Sequence, residues 1–95
     1  MKKYEIMFIV RPNIDEAAIK TVAENVKDLL KKNKANVLDE KDMGQKELAY
    51  EIKKFKKGYY FLLTVEANAE AINEFNHFSN VNENIIRSLV TKVEE

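Results

Sequence analysis

The stretch Tyr59–Glu66 constrains the fold of this chain most. Its side chains alternate so that Tyr59, Phe61, Leu63 and Val65 share one face and Tyr60, Leu62, Thr64 and Glu66 the other. A wholly apolar face has to be buried. The segment is β-favouring and starts after Gly58, which permits a positive φ or a tight turn, so it reads as a strand. Lys3–Val10 repeats the pattern, with Tyr4, Ile6, Phe8 and Val10 on one face and Lys3, Glu5, Met7 and Ile9 on the other. Pro12 closes it, because proline cannot donate to a ladder. Two such strands demand a sheet with other elements packed on its apolar side.

Those elements are legible between them. Asn13 reads as a helix N-cap with Glu16 completing a capping box, and the helix runs to about Lys32. Ile19, Val22, Ala23, Val26, Leu29 and Leu30 recur at three- and four-residue spacing and form one apolar stripe. Asn33 reads as its left-handed terminator. Asn36–Met43 is a charged strand of the kind expected at an exposed edge. Gly44 kinks or bulges it before Leu48-Ala49-Tyr50 resumes. Asn68 caps a second helix over Ala69–Ser79 that buries Ala71, Ile72, Phe75 and Phe78. The polar run Ser79–Asn84 then turns the chain into a last strand, Ile85–Val93.

The order strand, helix, strand, strand, helix, strand is α+β. Two right-handed crossovers joined by a central hairpin make the ferredoxin-like βαββαβ arrangement, a four-stranded antiparallel sheet with two helices on one face. The first and third strands are then central and the second and fourth are edges. The 95 residues form a single domain over 1–95, and 45% hydrophobic with 34% charged residues is a globular composition. No apolar run approaches the roughly 20 residues of a membrane span. The absence of cysteine excludes thiol chemistry and fits a reducing, cytoplasmic setting.

Catalysis and cofactors find little support. The single histidine, His77, has no second histidine or cysteine at ligand spacing and reads as structural. An acylphosphatase-like phosphate cradle would need glycines near Arg11, and Pro12 removes one of its backbone donors. No small-molecule substrate, metal or membrane partner is indicated. Lys57-Gly58-Tyr59-Tyr60-Phe61-Leu62 is similar to the ribonucleoprotein signature of RNA-recognition motifs. Outward stacking by Tyr59 and Phe61 would also turn Leu63 and Val65 outward, so the core reading of that face prevails.

The net charge is zero, but its distribution is uneven. Lys53, Lys54, Lys56 and Lys57 crowd one hairpin with a single acid, Glu51, between Leu48 and Tyr60. With Lys46, Tyr50 and Tyr60 close by, and Lys2 and Lys3 expected within reach, this is the footprint of phosphate contacts rather than of packing. Arg87 and Lys92 are weaker candidates for the same surface.

These pieces carry a resemblance. Tyr4-Glu5, Arg11-Pro12-Asn13, Gly44 before Leu48-Ala49-Tyr50, Gly58-Tyr59, and Arg87 with Leu89 are similar, in order and spacing, to the bacterial small-ribosomal-subunit protein six family over nearly the whole chain. The resemblance implies a ferredoxin-like fold, no enzymatic activity, and a ribosome-associated role binding the central domain of small-subunit ribosomal RNA together with small-subunit protein eighteen. Many members carry a longer C-terminal extension, whereas the sequence here ends Val93-Glu94-Glu95, which would shorten any contact made by a tail. Phe78-Ser79-Asn80-Val81-Asn82 carries none of the arginines common there in the family, which places more weight on the lysine hairpin. The protein partner is expected on the open sheet face, at Met7, Ile9, Tyr60 and Leu62 with Glu5 and Glu66 at the rim. The alternative class is a small regulatory or scaffolding domain that self-associates through that face, its lysines only solubilising.

Overall fold

A computed structural model describes residues 2–93, so Glu94 and Glu95 at the C-terminus lie outside the described residues. The elements are β1 (Lys2–Val10), α1 (Glu16–Lys32), β2 (Asn36–Ile52), β3 (Phe55–Ala67), α2 (Ala69–Val81) and β4 (Ile85–Lys92). The four-stranded sheet has the order β2-β3-β1-β4, and each pairing is antiparallel. The fold is α+β and ferredoxin-like, with the two alternating strands at the centre.

The sheet face made by Ile6, Phe8, Val10, Phe61, Leu63 and Val65 meets Ile19, Val22, Val26 and Leu30 of α1 and Ala71 and Phe75 of α2 in one buried cluster. Phe8 stacks on Phe61 at 5.2 Å between centroids and tilts against Phe75 at 6.3 Å. Tyr59 and Phe61 therefore belong to the core side. Α stacking role for this pair on the open face is ruled out by their own strand phase.

Several boundaries differ from the expectation, each for a local reason. Asp15, not Asn13, caps α1, its carboxylate accepting the Ala18 N–H at 2.8 Å. The left-handed residue beyond α1 is Lys34 (φ 66) rather than Asn33. Ala35 N–H donates to the Leu30 carbonyl at 2.9 Å and Lys34 N–H to that of Lys31 at 3.0 Å, a Schellman closure. Helix α2 continues to Val81, tied to β4 by the 2.6 Å Ser79–Ser88 hydroxyl contact. Strand β2 does not stop at Met43: it bulges at Gly44 (φ 76) and runs on to Ile52. The turn that follows is at Lys53-Lys54, and Gly58 sits inside β3 with no turning role.

Candidate nucleic-acid interface

The β2–β3 hairpin is the part of the chain that outgrows the packed core. Ile52 pairs with Phe55, leaving the two-residue loop Lys53-Lys54 with φ values of 48° and 72°. Two left-handed residues in a two-residue loop are the mark of a type I′ turn, whose twist suits a hairpin. Asn-Gly is the usual occupant, and lysine there costs about 1–2 kcal/mol per residue. The turn thus places two exposed ammonium groups at the tip at the expense of local stability.

The hairpin bends over the open face of the sheet. Strands β2 and β4 are opposite edges, about 14 Å apart across three strand spacings. Yet Arg87 of β4 donates from Nη1 to the Tyr50 hydroxyl of β2 at 2.6 Å, and its guanidinium carbon lies 5.9 Å from the ring centroid. Beneath the bend a second small apolar cluster forms. Ile9 is 2% exposed and Ile86 5%, both outside the main core. Gly58 makes the approach possible. A Cβ built on it would overlap the Ile9 Cγ2 methyl, with Leu48 Cδ2 at 3.6 Å and Ile86 Cδ1 at 3.7 Å.

The bend gathers the basic groups at one pole of the molecule. Lys46, Lys53, Lys54, Lys56, Lys57 and Arg87 are all exposed there, with Tyr50 among them. Residues 46–57 hold five lysines and two acids, Glu47 and Glu51. Glu47 stands opposite Lys57 across the ladder, so part of the charge is locally balanced and the tip is not.

Lys2 and Lys3 are not part of this pole, contrary to expectation. The antiparallel register puts Lys2 opposite Ala67 and Lys3 opposite Glu66, whereas Val10 is the residue that meets Tyr59 beside the hairpin. Seven residues of strand separate Lys3 from Val10, about 23 Å. Lys92 pairs with Tyr4 and shares that far end. Its ammonium is pushed below the ordinary lysine range by its side-chain hydrogen-bonding contact with Lys2 and by the like charge there. The basic candidates thus divide into a main cluster and a minor, opposite one.

The open face holds a row Leu62–Met7–Leu89 across β3, β1 and β4, with Tyr60 beside it. Ile9 does not belong to its accessible surface, because the bent hairpin covers it. Leu89, 51% exposed, takes the place that Ile9 was expected to fill. The hairpin's apolar residues Leu48, Ala49 and Ile52 were the sequence signal for this cover. Glu5 is exposed and Glu66 half-buried toward the opposite end of the face, with Thr64 and Thr91 flanking Glu5. Among the described residues no helix is long and apolar enough to cross a membrane, and no group of acids and histidine is placed to hold a metal. His77 is exposed on α2.

Comparison with known proteins gives a consistent result. A family model described as Ribosomal protein S6 matches residues 3–92. The small ribosomal subunit protein bS6 of Shouchella clausii (strain KSM-K16) is 52% identical over 95 residues, covering all of both chains. The bS6 protein of Halalkalibacterium halodurans is 50% identical over the same span, again covering both chains entirely. Among solved structures, 30S ribosomal protein S6 from Thermotoga maritima superposes with a TM-score of 0.93 at 31% identity, covering 97% of this chain and 87% of that one.

Proposed function

The chain belongs to the ribosomal protein S6 family of the small subunit, and on that premise we propose that it is a non-catalytic, cytoplasmic constituent that binds the central domain of small-subunit ribosomal RNA through its hairpin pole. The observation that carries the reading is the bent hairpin. It projects Lys53, Lys54, Lys56 and Lys57 beyond the core and brings Lys46, Tyr50 and Arg87 alongside them. Such a cluster has no packing role in the domain. It suits phosphates, which position a protein on RNA and release counterions. Lys2, Lys3 and Lys92 form a weaker, separate phosphate contact at the far pole.

The protein partner in this reading is small-subunit protein eighteen, seated on the open face over Met7, Tyr60, Leu62 and Leu89. Glu5 and Glu66 supply opposite charge to a basic partner at the rim. Support comes from the contiguous apolar row beside the bent hairpin, which lies next to the RNA surface, so that one partner can touch protein and RNA together.

The experiment is a salt series of binding to a central-domain transcript, with protein eighteen present. Alanine at Lys53, Lys54, Lys56 and Lys57 should flatten the slope of log affinity against log salt by about 0.7–0.9 per lost phosphate contact. An unchanged slope removes the hairpin from the RNA surface.

A further inference from the structure

We infer that Tyr50 is a stacking platform for one unpaired RNA base, and that the cleft beside it holds a whole nucleotide. This rests on the hairpin being the RNA surface, and deepens it from phosphate contact to base contact. The large aromatic rings of this chain are mostly committed to the core. Phe8, Phe61 and Phe75 are buried, while Tyr50 is 62% exposed.

The Tyr50 ring is exposed yet held. Its hydroxyl accepts the 2.6 Å hydrogen bond from Arg87, which reaches it from the far edge of the sheet. The segment that carries it leaves the ladder between Glu47 and Ile52 and is held down by Leu48, which packs over Gly58 in the same pocket as Ile9 and Ile86. A ring fixed at its polar end, on a backbone fixed by packing, loses little freedom when a base stacks on it. Stacking of this kind accepts any base with a π-face.

The surroundings match the rest of a nucleotide. A cleft of about 440 Å³ opens beside the ring, lined by Leu48, Tyr50, Glu47, Glu51, Lys56 and Lys57. Lysines alone would suit a phosphate, and two carboxylates among them would repel it. A nucleotide needs both signs. Its phosphate takes the ammonium groups, and the N–H donors on its base edge take the carboxylates. Guanine offers two adjacent donors to one carboxylate and uracil only one, so the arrangement favours guanine over uracil.

The test uses the full chain and a short RNA stem with one bulged position. That position holds guanosine, uridine or an abasic sugar, and affinity is read by fluorescence anisotropy. The abasic stem should bind about tenfold or more weaker than the guanosine stem, with uridine between them. Tyr50→Ala should lose that factor on the guanosine stem and almost nothing on the abasic one, while Tyr50→Phe keeps most of it. The RNA arm of the comparison needs no variant, so it stands even if Tyr50→Ala fails to fold. Equal affinity of wild-type protein for guanosine and abasic stems overturns the inference. If the four-lysine alanine variant still loses binding in that case, the phosphate reading survives alone. If that variant binds every stem as well as wild type, both readings fall.

Discussion

Gly58→Ala is the substitution whose effect follows most directly from the geometry. The added methyl would lie well inside 3.0 Å of the Ile9 Cγ2 atom, against about 3.5–4.0 Å for ordinary carbon contacts. Ile9 is 2% exposed and its Cγ2 is the branch of a β-branched side chain on a central strand, so it has little room to yield. Overpacking of this kind costs about 1–3 kcal/mol. Alanine recovers about 0.5–1 kcal/mol because glycine loses more backbone freedom in a strand. The net destabilisation is about 0–2.5 kcal/mol, and the depth of the overlap places it above the low end. Near the middle of that range the melting temperature falls by roughly 5–10 °C for a domain of this size. Urea denaturation of Gly58→Ala, Ile9→Ala and the double variant completes the measurement. Ile9→Ala alone opens a cavity worth about 2–5 kcal/mol. In the double variant the new methyl enters that space, so the two losses should fall short of additivity by about 1 kcal/mol or more. An unchanged midpoint for Gly58→Ala, or strict additivity in the cycle, would refute the packed underside of the hairpin.

Three further outcomes are expected. Phe61→Ala should cost about 3–5 kcal/mol in chemical denaturation, since the buried ring stacks on Phe8 in the core beneath the helices; a small effect would mean that the ring is not part of the core. Replacing Lys53-Lys54 by Asn-Gly should raise stability by about 2–4 kcal/mol, about 1–2 for each left-handed lysine relieved. It should at the same time weaken binding to the central-domain transcript, and a variant that gained stability with full RNA affinity would show that the tip charges are idle. Leu62→Glu with Leu89→Lys should abolish pairing with protein eighteen in gel filtration while leaving the melting transition in place. Full-strength pairing by that variant would move the partner off the open face.

What the sequence made legible was what strict periodicity controls. The alternation of β1 and β3 determined which faces are buried, and Ile6, Phe8, Phe61, Leu63 and Val65 are all in the core. The order of elements then left few topologies. The terminal details were harder because they depend on which of several neighbouring residues wins a local competition. Asn13 and Asp15 are both good caps, and Asn33 and Lys34 are adjacent candidates for one left-handed position. The hairpin departs from the sequence expectation for a more physical reason. Glycine marks a turn in most sequences, but here the turn is made by two lysines and Gly58 serves a close approach instead. That approach is a tertiary contact with Ile9, forty-nine positions away in the chain, and its one local sign is the apolar character of Leu48, Ala49 and Ile52 in the hairpin. The same contact explains why Ile9 is buried and why Arg87 stands with the hairpin, whereas the antiparallel register of β1 keeps Lys2 and Lys3 at the far end.

Directed hydroxyl-radical cleavage in reconstituted small subunits tests most directly whether the hairpin pole faces RNA. The chain has no cysteine, so a single introduced thiol carries an iron chelate to one known place. Lys54→Cys puts it at the hairpin tip, and His77→Cys puts it on the exposed side of α2, in the helical layer behind the sheet. A hairpin pole that faces RNA gives strong cuts in the central domain of the ribosomal RNA from position 54 and weak or no cuts from position 77. Strong cleavage from position 77 with none from position 54 would contradict that placement.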